Sequence, residues 1–238
     1  MFGITSANAY GGKRATDFDG TDDFLETGAD LSGIADGKTG TLSTWVNLDS
    51  VAAAQVHLCN VVGSASRFLF HQSVALPARL SIVGVGTDAA NKLVMTNNTN
   101  LTTATWYHLL ASWDLASAIG NLYINGSSDL AAGAVLTNAN IDYTGTNWRA
   151  GTYYDASRDY NGRMSAVYFS TRYLDITSAP IRKRFFAAAL KPGILGLRGQ
   201  LADGQIPLIW MPDGKTNMGT GGVFSPSGGL AAAAGPLA

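Results

Sequence analysis

The segment Trp106-Tyr107-His108-Leu109-Leu110-Ala111-Ser112-Trp113 alternates between two sets of side chains, as a β-strand does. The odd-numbered residues, which are mainly apolar, share one face, and the even-numbered residues share the other. A second strand is predicted at 121–124. It ends at Asn125-Gly126, a pair that favours a tight hairpin turn because both residues tolerate a positive φ. This stretch predicts antiparallel β structure.

Similar runs on both sides of this segment predict further strands. They lie at 41–48, 67–71, 79–85 and 163–170, and turn-forming residues separate them. Hydrophobic residues make up 46% of the chain, which is enough for a sizeable core, and charged residues only 14%. All-β sandwiches of 238 residues often form one unit, so a single large all-β domain is predicted.

The end of the chain differs from the rest in composition. One short helix is predicted just before it, with Thr177 or Ser178 as the cap and Pro180 in its first turn. Beyond the helix, Gly- and Ala-rich stretches surround two short apolar runs, a composition that cannot build its own core. We therefore predict a sandwich over 15–192, an N-terminal arm over 1–14, and an extended C-terminal arm over 193–238 that docks onto another surface or forms an interface.

Four segments, in order, resemble the laminin-G-like, concanavalin A-like jelly-roll proteins. The first is Asp17-Phe18-Asp19-Gly20-Thr21-Asp22-Asp23-Phe24-Leu25, and the second is Gly40-Thr41-Leu42-Ser43-Thr44-Trp45-Val46. The third is the hairpin quoted above, and the fourth is Tyr160-Asn161-Gly162-Arg163-Met164-Ser165-Ala166-Val167-Tyr168-Phe169. The resemblance implies an antiparallel jelly-roll sandwich of two sheets, but it does not imply one function, since this fold carries lectins, hydrolases and adhesion modules.

The C-terminal segment carries a second resemblance. The stretches 204–210 and 217–224 resemble tails found on jelly-roll proteins of tailed bacteriophages. This resemblance implies a virion structural protein, such as a capsid decoration protein, a spike or a tail-associated component. The partners expected from it are other virion proteins, copies of the chain itself in a homo-oligomer, and a host-surface polysaccharide.

The acidic residues argue against the hydrolase alternative. Glycoside hydrolysis needs two carboxylates that face one cleft, one as the acid and the other as the nucleophile or base. The chain contains a single glutamate, Glu26, and no predicted strand carries alternating acids. We therefore predict no catalytic residues and a protein that is not an enzyme, with a glycoside hydrolase as the less favoured alternative.

A carbohydrate-binding module is the main alternative to the virion role, and the two are compatible. Sugar binding uses exposed aromatic rings with polar partners. One loop-rich region supplies such residues, and the glycan candidates are Trp148, Tyr153, Tyr154, Arg158 and Tyr160. The alternative for the aromatic residues is that they lie in a subunit contact or close one end of the core.

Calcium is the one cofactor for which the sequence offers candidates. Jelly-roll relatives hold calcium at a loop rim with aspartate carboxylates and backbone carbonyls. The corresponding candidates are Asp22 and Asp23 in the first turn, and Asp155 and Asp159 in the aromatic region. The alternative for these aspartates is turn formation and loop solubility.

The charge pattern and the N-terminus restrict the partners and the location. The net charge is −1 and no basic stripe is present, so nucleic acid is not an expected partner. The sequence has no apolar run long enough to span a membrane, and its first residues do not form a secretory signal. These features fit synthesis in a bacterial cytoplasm, and the resemblance to bacteriophage proteins implies a final location on the virion surface.

Overall fold

The structure is a computed structural model, which describes residues 14–73, 75–76, 78–187 and 192–236. The predicted N-terminal arm, 1–14, lies outside these residues except for Arg14, the first residue of a strand. No helix in the described ranges is both long and apolar enough to cross a membrane.

Short strands form most of the chain. Numbered along the sequence, they are β1 (Arg14–Asp19), β2 (Phe24–Glu26), β3 (Thr39–Leu48), β4 (Val56–Val61), β5 (Phe68–Gln72), β6 (Leu80–Val85), β7 (Asn91–Thr96), β8 (Trp106–Asp114), β9 (Ile119–Ile124), β10 (Ser127–Ser128), β11 (Val135–Leu136), β12 (Asn147–Ala150), β13 (Asn161–Ser170), β14 (Ile209–Met211), β15 (Ser225–Ser227) and β16 (Ala231–Ala234). One short helix, α1 (Ala179–Phe185), and a 3₁₀ turn at Gln200–Ala202 complete the elements.

The strands form two antiparallel sheets that pack as a jelly-roll sandwich. The first sheet has the order β10-β9-β8-β3-β13-β1-β16, with β14 paired to β13. The second sheet has the order β11-β7-β6-β5-β4-β12-β2-β15. The predicted all-β fold with two antiparallel sheets and one short helix is therefore confirmed.

The strands predicted from alternation form where they were expected. In β8, Leu109 and Trp113 face the space between the sheets, while Leu110 faces the opposite side. The hairpin turn follows β9, where Asn125 and Gly126 both have a positive φ, 51° and 78°. These two left-handed residues match the twist of the flanking strands, which is why the Asn-Gly pair suits this turn.

Aromatic side chains fill the core between the sheets. Phe68 lies within 6 Å of the rings of Trp113, Tyr143, Trp148 and Phe169, with centroid distances of 5.9, 5.5, 5.8 and 5.0 Å. The polar tips in this cluster are satisfied, since Trp113 Nε1 donates to Tyr143 Oη at 2.8 Å. Buried aromatic rings with hydrogen-bonded tips hold the two sheets in one arrangement.

The C-terminal segment is part of the sandwich, which corrects the boundary predicted at residue 193. Strands β14 and β16 extend the first sheet and β15 extends the second. Trp210 of β14 and Leu195 join Phe185 of α1, Trp45 and Tyr168 in one buried apolar cluster on the outer face of the first sheet. The surface onto which the segment packs is therefore the chain's own sandwich.

Candidate functional site

The candidate site is the loop 151–160 between β12 and β13, which we call the aromatic loop. It packs over the outer face of the second sheet, the face that points away from the core. Tyr153 contacts a small apolar cluster there that contains Val56, Cys59 and Leu69, with Val83 beside it. The loop is therefore seated on a row of strands and does not extend freely from the domain.

Arg149 joins the aromatic loop to the sheet. Its Nη1 donates to the carbonyl oxygens of Tyr154 at 2.8 Å and Tyr153 at 3.3 Å. Its Nη2 lies 3.2 Å from Oε2 of Glu26, its cross-strand partner on β2. The guanidinium also lies over the ring of Phe24, 5.3 Å from the centroid. One side chain thus fixes two backbone carbonyls of the loop and balances the charge of Glu26.

Bonds within the aromatic loop fix its shape further. The amide of Tyr153 donates to the carbonyl of Ser157 at 3.0 Å, and the Thr152 hydroxyl donates to Asp159 at 2.5 Å. Ala156 and Arg158 have positive φ values of 54° and 57°, a conformation that residues other than glycine rarely adopt. Backbone strain of this kind persists only where the surroundings impose it, and it is common at functional sites.

Three of the predicted glycan residues meet on this loop. The rings of Tyr153 and Tyr154 contact edge to face, with centroids 4.6 Å apart, and the Arg158 guanidinium lies 4.6 Å from the centroid of Tyr153. Partial burial raises the pKa of the Tyr153 hydroxyl above its usual value of 10, so Tyr153 is neutral at physiological pH. Arg158 is exposed, and Tyr153 and Tyr154 are both partly buried. The loop therefore presents two partly exposed rings and, over the first of them, an exposed cation.

Two predicted glycan residues, Trp148 and Tyr160, are instead core residues, and their assignment was wrong. Both are fully buried, so neither offers a ring face to a sugar. Trp148 belongs to the inward-facing set of β12, and its Nε1 donates to Asp30 at 3.1 Å. The Tyr160 hydroxyl lies 3.0 Å from the carbonyl oxygen of Asn47.

The inward position of Trp148 also explains what sequence reasoning missed. Since neighbours in a strand face opposite sides, Asn147 and Arg149 must face outward, toward the aromatic loop. Asn147 Nδ2 donates to Glu26 Oε2 at 2.8 Å, which places Phe24, Glu26, Asn147 and Arg149 in one outward-facing group. The alternation of β12 is the only sequence signal for this group, and β12, with four residues, is too short for its period to be read.

The calcium candidates fall into two places. Asp22 and Asp23 lie with Asp19 in the turn between β1 and β2, and one carboxylate oxygen from each lies within 4.8 Å of the others. Asp155 and Asp159 belong to no comparable group of three within the described part of the chain. The Ser157 hydroxyl donates a hydrogen bond to the carboxylate of Asp155, and this bond holds the pKa of Asp155 below its usual value.

His57, His108 and Cys59 are buried, and Cys59 lies in the apolar cluster beneath Tyr153. Burial lowers the pKa of His57 and of His108 to about 3, so both imidazoles are neutral. Burial likewise raises the pKa of the Cys59 thiol to about 12, which keeps it protonated and unreactive. Among the described residues, these side chains support the fold and offer no exposed nucleophile.

Comparisons with known proteins agree with this architecture. The family described as the concanavalin A-like lectin/glucanases superfamily, Laminin G type 3, matches residues 19–177. A native heptameric SAP-like pentraxin from Limulus polyphemus superposes with a TM-score of 0.64 at 16% identity, over 93% of this chain and 95% of that one. A protein from Bacteroides ovatus described as carbohydrate binding superposes with a TM-score of 0.65 at 14% identity, over 94% of this chain and 60% of that one. No curated protein matches the sequence.

Proposed function

This chain belongs to the concanavalin A-like lectin/glucanases superfamily, and we propose that it is a lectin-like module that binds a carbohydrate at the aromatic loop and catalyses no reaction. The observation that carries the proposal is the clamp by Arg149, which fixes the carbonyls of Tyr153 and Tyr154 and so holds the exposed side chains in place. The description of the Bacteroides ovatus protein supports the same class of ligand.

The chemistry of the loop suits a sugar. An aromatic ring stacks on the apolar face of a pyranose, and guanidinium and carboxylate groups bond its hydroxyls. Tyr154 supplies a partly exposed ring, and Arg158, which lies over the neighbouring Tyr153 ring, supplies a donor. Because the loop is already ordered by its own bonds, little conformational entropy is lost when a ligand binds. A fixed polar and aromatic surface of this kind favours binding over chemistry.

The arrangement of the acids supports the absence of catalysis. Glu26, the only glutamate, lies close to the loop, but its Oε2 already accepts bonds from Asn147 and Arg149. A hydrolase needs a second carboxylate about 5–9 Å away across a cleft, with one of the two protonated. The carboxylates grouped by the fold, Asp19, Asp22 and Asp23, sit in the β1–β2 turn instead.

The test is a glycan array probed with the wild-type chain and with Tyr154→Ala and Arg158→Ala. Each substitution is expected to weaken retention about 5- to 10-fold, the size of one lost stacking or charged contact. Tyr173→Ala is the matched control, because Tyr173 is also half-exposed but lies outside the loop. Absence of retention by folded wild type on every glycan would contradict binding, and release of reducing ends from a retained glycan would contradict the absence of catalysis.

We also propose that this module is displayed on a bacteriophage virion, as a decoration, spike or tail-associated protein, and assembles with copies of itself. The observation that favours assembly is an apolar surface on the C-terminal segment, where Ile194, Leu197 and Leu201 are 68%, 51% and 50% exposed. Three large apolar side chains exposed within eight residues are typical of a contact surface. The heptameric state of the Limulus pentraxin shows that this fold can assemble.

Light scattering on the purified chain tests the assembly part of this proposal. We expect a mass that is a multiple of 24.9 kDa, and a shift toward a single chain when Ile194, Leu197 and Leu201 are replaced by serine. Serine at Leu76, which is 46% exposed elsewhere, is the control and should leave the mass unchanged. A wild-type mass of one chain would contradict self-assembly.

A further inference from the structure

The charges of this chain are separated along the sequence. Residues 176–202 contain five basic residues and no acidic one, whereas residues 15–37 contain seven acidic residues and no basic one. The chain as a whole is balanced, with a net charge of −1. Two long segments of opposite sign in a balanced protein produce two surfaces of opposite electrostatic potential.

The charges of the basic segment are not balanced by the fold. The guanidinium groups of Arg182, Arg184 and Arg198 donate to backbone carbonyl oxygens, with shortest distances of 2.8, 2.7 and 3.3 Å. These bonds fix the side chains but leave their positive charges uncompensated. Lys183 is exposed. Among the residues that the structure describes, none of these four side chains lies at ion-pair distance from a carboxylate.

Exposed apolar side chains lie next to these cations. The amide of Gly193 donates to the carbonyl of Phe185 at 2.8 Å, and Arg184 reaches the carbonyl of Ala202, so the segment 193–202 lies against α1. This segment carries the three exposed apolar residues described above. We call the combined set the basic surface, and it consists of Arg182, Lys183, Arg184, Ile194, Leu197, Arg198 and Leu201.

The acidic segment is balanced only in part. Asp17 and Glu26 form ion pairs with Arg163 at 3.3 Å and with Arg149 at 3.2 Å. The other five acidic residues of the segment form no ion pair within the described ranges. Asp22 is one of them, and it is exposed. A net negative charge therefore remains on the β1–β2 turn and on the loop that follows β2.

One apolar residue lies beside these acids. Val223 is 78% exposed, the highest value among the large apolar residues that the structure describes. It lies between Gly221, whose carbonyl oxygen accepts a bond from the Ser32 amide at 3.0 Å, and Ser225, which pairs with Glu26. We call this second set the acidic surface, and it consists of Asp19, Asp22, Asp30 and Val223.

The two surfaces lie too far apart to meet within one chain. Arg182 lies over the ring of Tyr123 in β9, 4.8 Å from its centroid, whereas Asp19 is the last residue of β1. Strands β8, β3 and β13 lie between β9 and β1 in the first sheet. At about 4.8 Å per strand, the two sites are separated by roughly 19 Å.

We propose that the basic surface of one copy of this chain binds the acidic surface of a second copy. The inference rests on the self-assembly proposed above and names the two surfaces that it uses. Opposite charges fix the register of such a contact and exclude wrong partners, while burial of the apolar residues on both sides supplies affinity. Because the two surfaces differ, the contact is heterologous and repeats from copy to copy until a ring closes.

Charge reversal on each surface tests this contact. Lys183→Glu and Asp22→Lys should each weaken self-association at least tenfold and shift the mass in light scattering toward 24.9 kDa, because like charges then face each other. An equimolar mixture of the two variants should associate again, since the intact basic surface of one meets the intact acidic surface of the other. Wild-type association should also weaken in about 0.5 M NaCl, which screens the charges.

The control and the alternative outcomes separate this inference from self-assembly in general. Arg79→Glu reverses a half-exposed charge outside both surfaces and should leave the mass unchanged. An assembled wild type that is insensitive to both reversals, or a mixture that stays as single chains, would overturn the pairing of these surfaces and leave self-assembly standing. A wild-type mass of one chain would overturn both proposals. Binding of that single chain to phosphatidylglycerol vesicles, lost in Lys183→Glu, would assign the basic surface to an anionic membrane instead.

Discussion

Replacing His57 with leucine should remove a large part of the acid sensitivity of this protein. His57 is fully buried between the rings of Phe70 and Tyr160, with centroid distances of 4.7 and 4.4 Å. Neither ring nitrogen has a hydrogen-bond partner in the described structure. Burial lowers the pKa of His57 from 6.5 to about 3, because protonation would place a charge in the core.

The sign and size of the effect follow from this shift. Above pH 6.5 the imidazole is neutral in both the folded and the unfolded states, and it adds no dependence on pH. Below pH 6.5 only the unfolded chain takes up the proton, so the free energy of unfolding falls by about 1.4 kcal/mol per pH unit until pH 3. Between pH 8 and pH 5, His57 should therefore lower the free energy of unfolding by about 2 kcal/mol. His108, whose pKa is lowered to the same value, should lower it by a similar amount.

Urea unfolding at pH 8 and pH 5, followed by tryptophan fluorescence, measures both contributions. In wild type the two histidines together should lower the free energy of unfolding by about 4 kcal/mol between pH 8 and pH 5. In His57→Leu, where only His108 remains of the two, that contribution should be about half as large. At pH 8, His57→Leu should be within ~1 kcal/mol of wild type, since no hydrogen bond is lost. His108→Leu is the contrast, because it removes the hydrogen-bond partner of the buried Ser43 hydroxyl, which lies 2.8 Å from His108 Nε2. It should therefore lower the free energy of unfolding by about 1–3 kcal/mol at pH 8. An equal loss between pH 8 and pH 5 in wild type and His57→Leu would refute the reasoning.

Two further predictions concern the C-terminal segment, and both are read from thermal unfolding. Gly214→Ala should destabilise the fold by at least ~2 kcal/mol more than the control Gly133→Ala. A Cβ at 214 would lie 2.2 Å from the carbonyl oxygen of Met164, whereas a Cβ at 133 would have none of the described atoms within 4 Å. Both glycines have a positive φ, so the difference isolates the contact, and equal losses would contradict it. Trp210→Ala should cost about 3–5 kcal/mol because it removes a buried indole from the apolar cluster on the outer face of the first sheet, and a loss below ~1 kcal/mol would mean that this side chain contributes little to that cluster.

The strands that could be predicted from the sequence are those with long alternation. Strands β3, β8 and β13 have nine or ten residues each, and their apolar faces are visible without knowledge of their partners. Strands β15 and β16 could not be found in this way. They have three and four residues, mostly exposed serine, proline and alanine, and form because β2 and β1 offer free edges.

The residues of the candidate site could be predicted only in part. Tyr153, Tyr154 and Arg158 were found because loop aromatics and charges are visible in the sequence. Trp148 was placed on the wrong side because a strand of four residues gives no readable period. The turn acids were visible as a local cluster, but the burial of Asp23 depends on Gly228, which comes from the far end of the chain.

The position of β1 within the first sheet has a consequence for synthesis. Thr16 pairs with Met164 on one side and with Ala232 on the other, and in the second sheet Leu25 likewise lies between Ala150 and Pro226. Both N-terminal strands therefore leave the ribosome long before either neighbour exists. Such non-local pairing folds slowly and exposes unpaired strand edges in the meantime. The two sheets should therefore be complete only after β15 and β16 have left the ribosome, and a nascent chain stalled before them should be a substrate for chaperones.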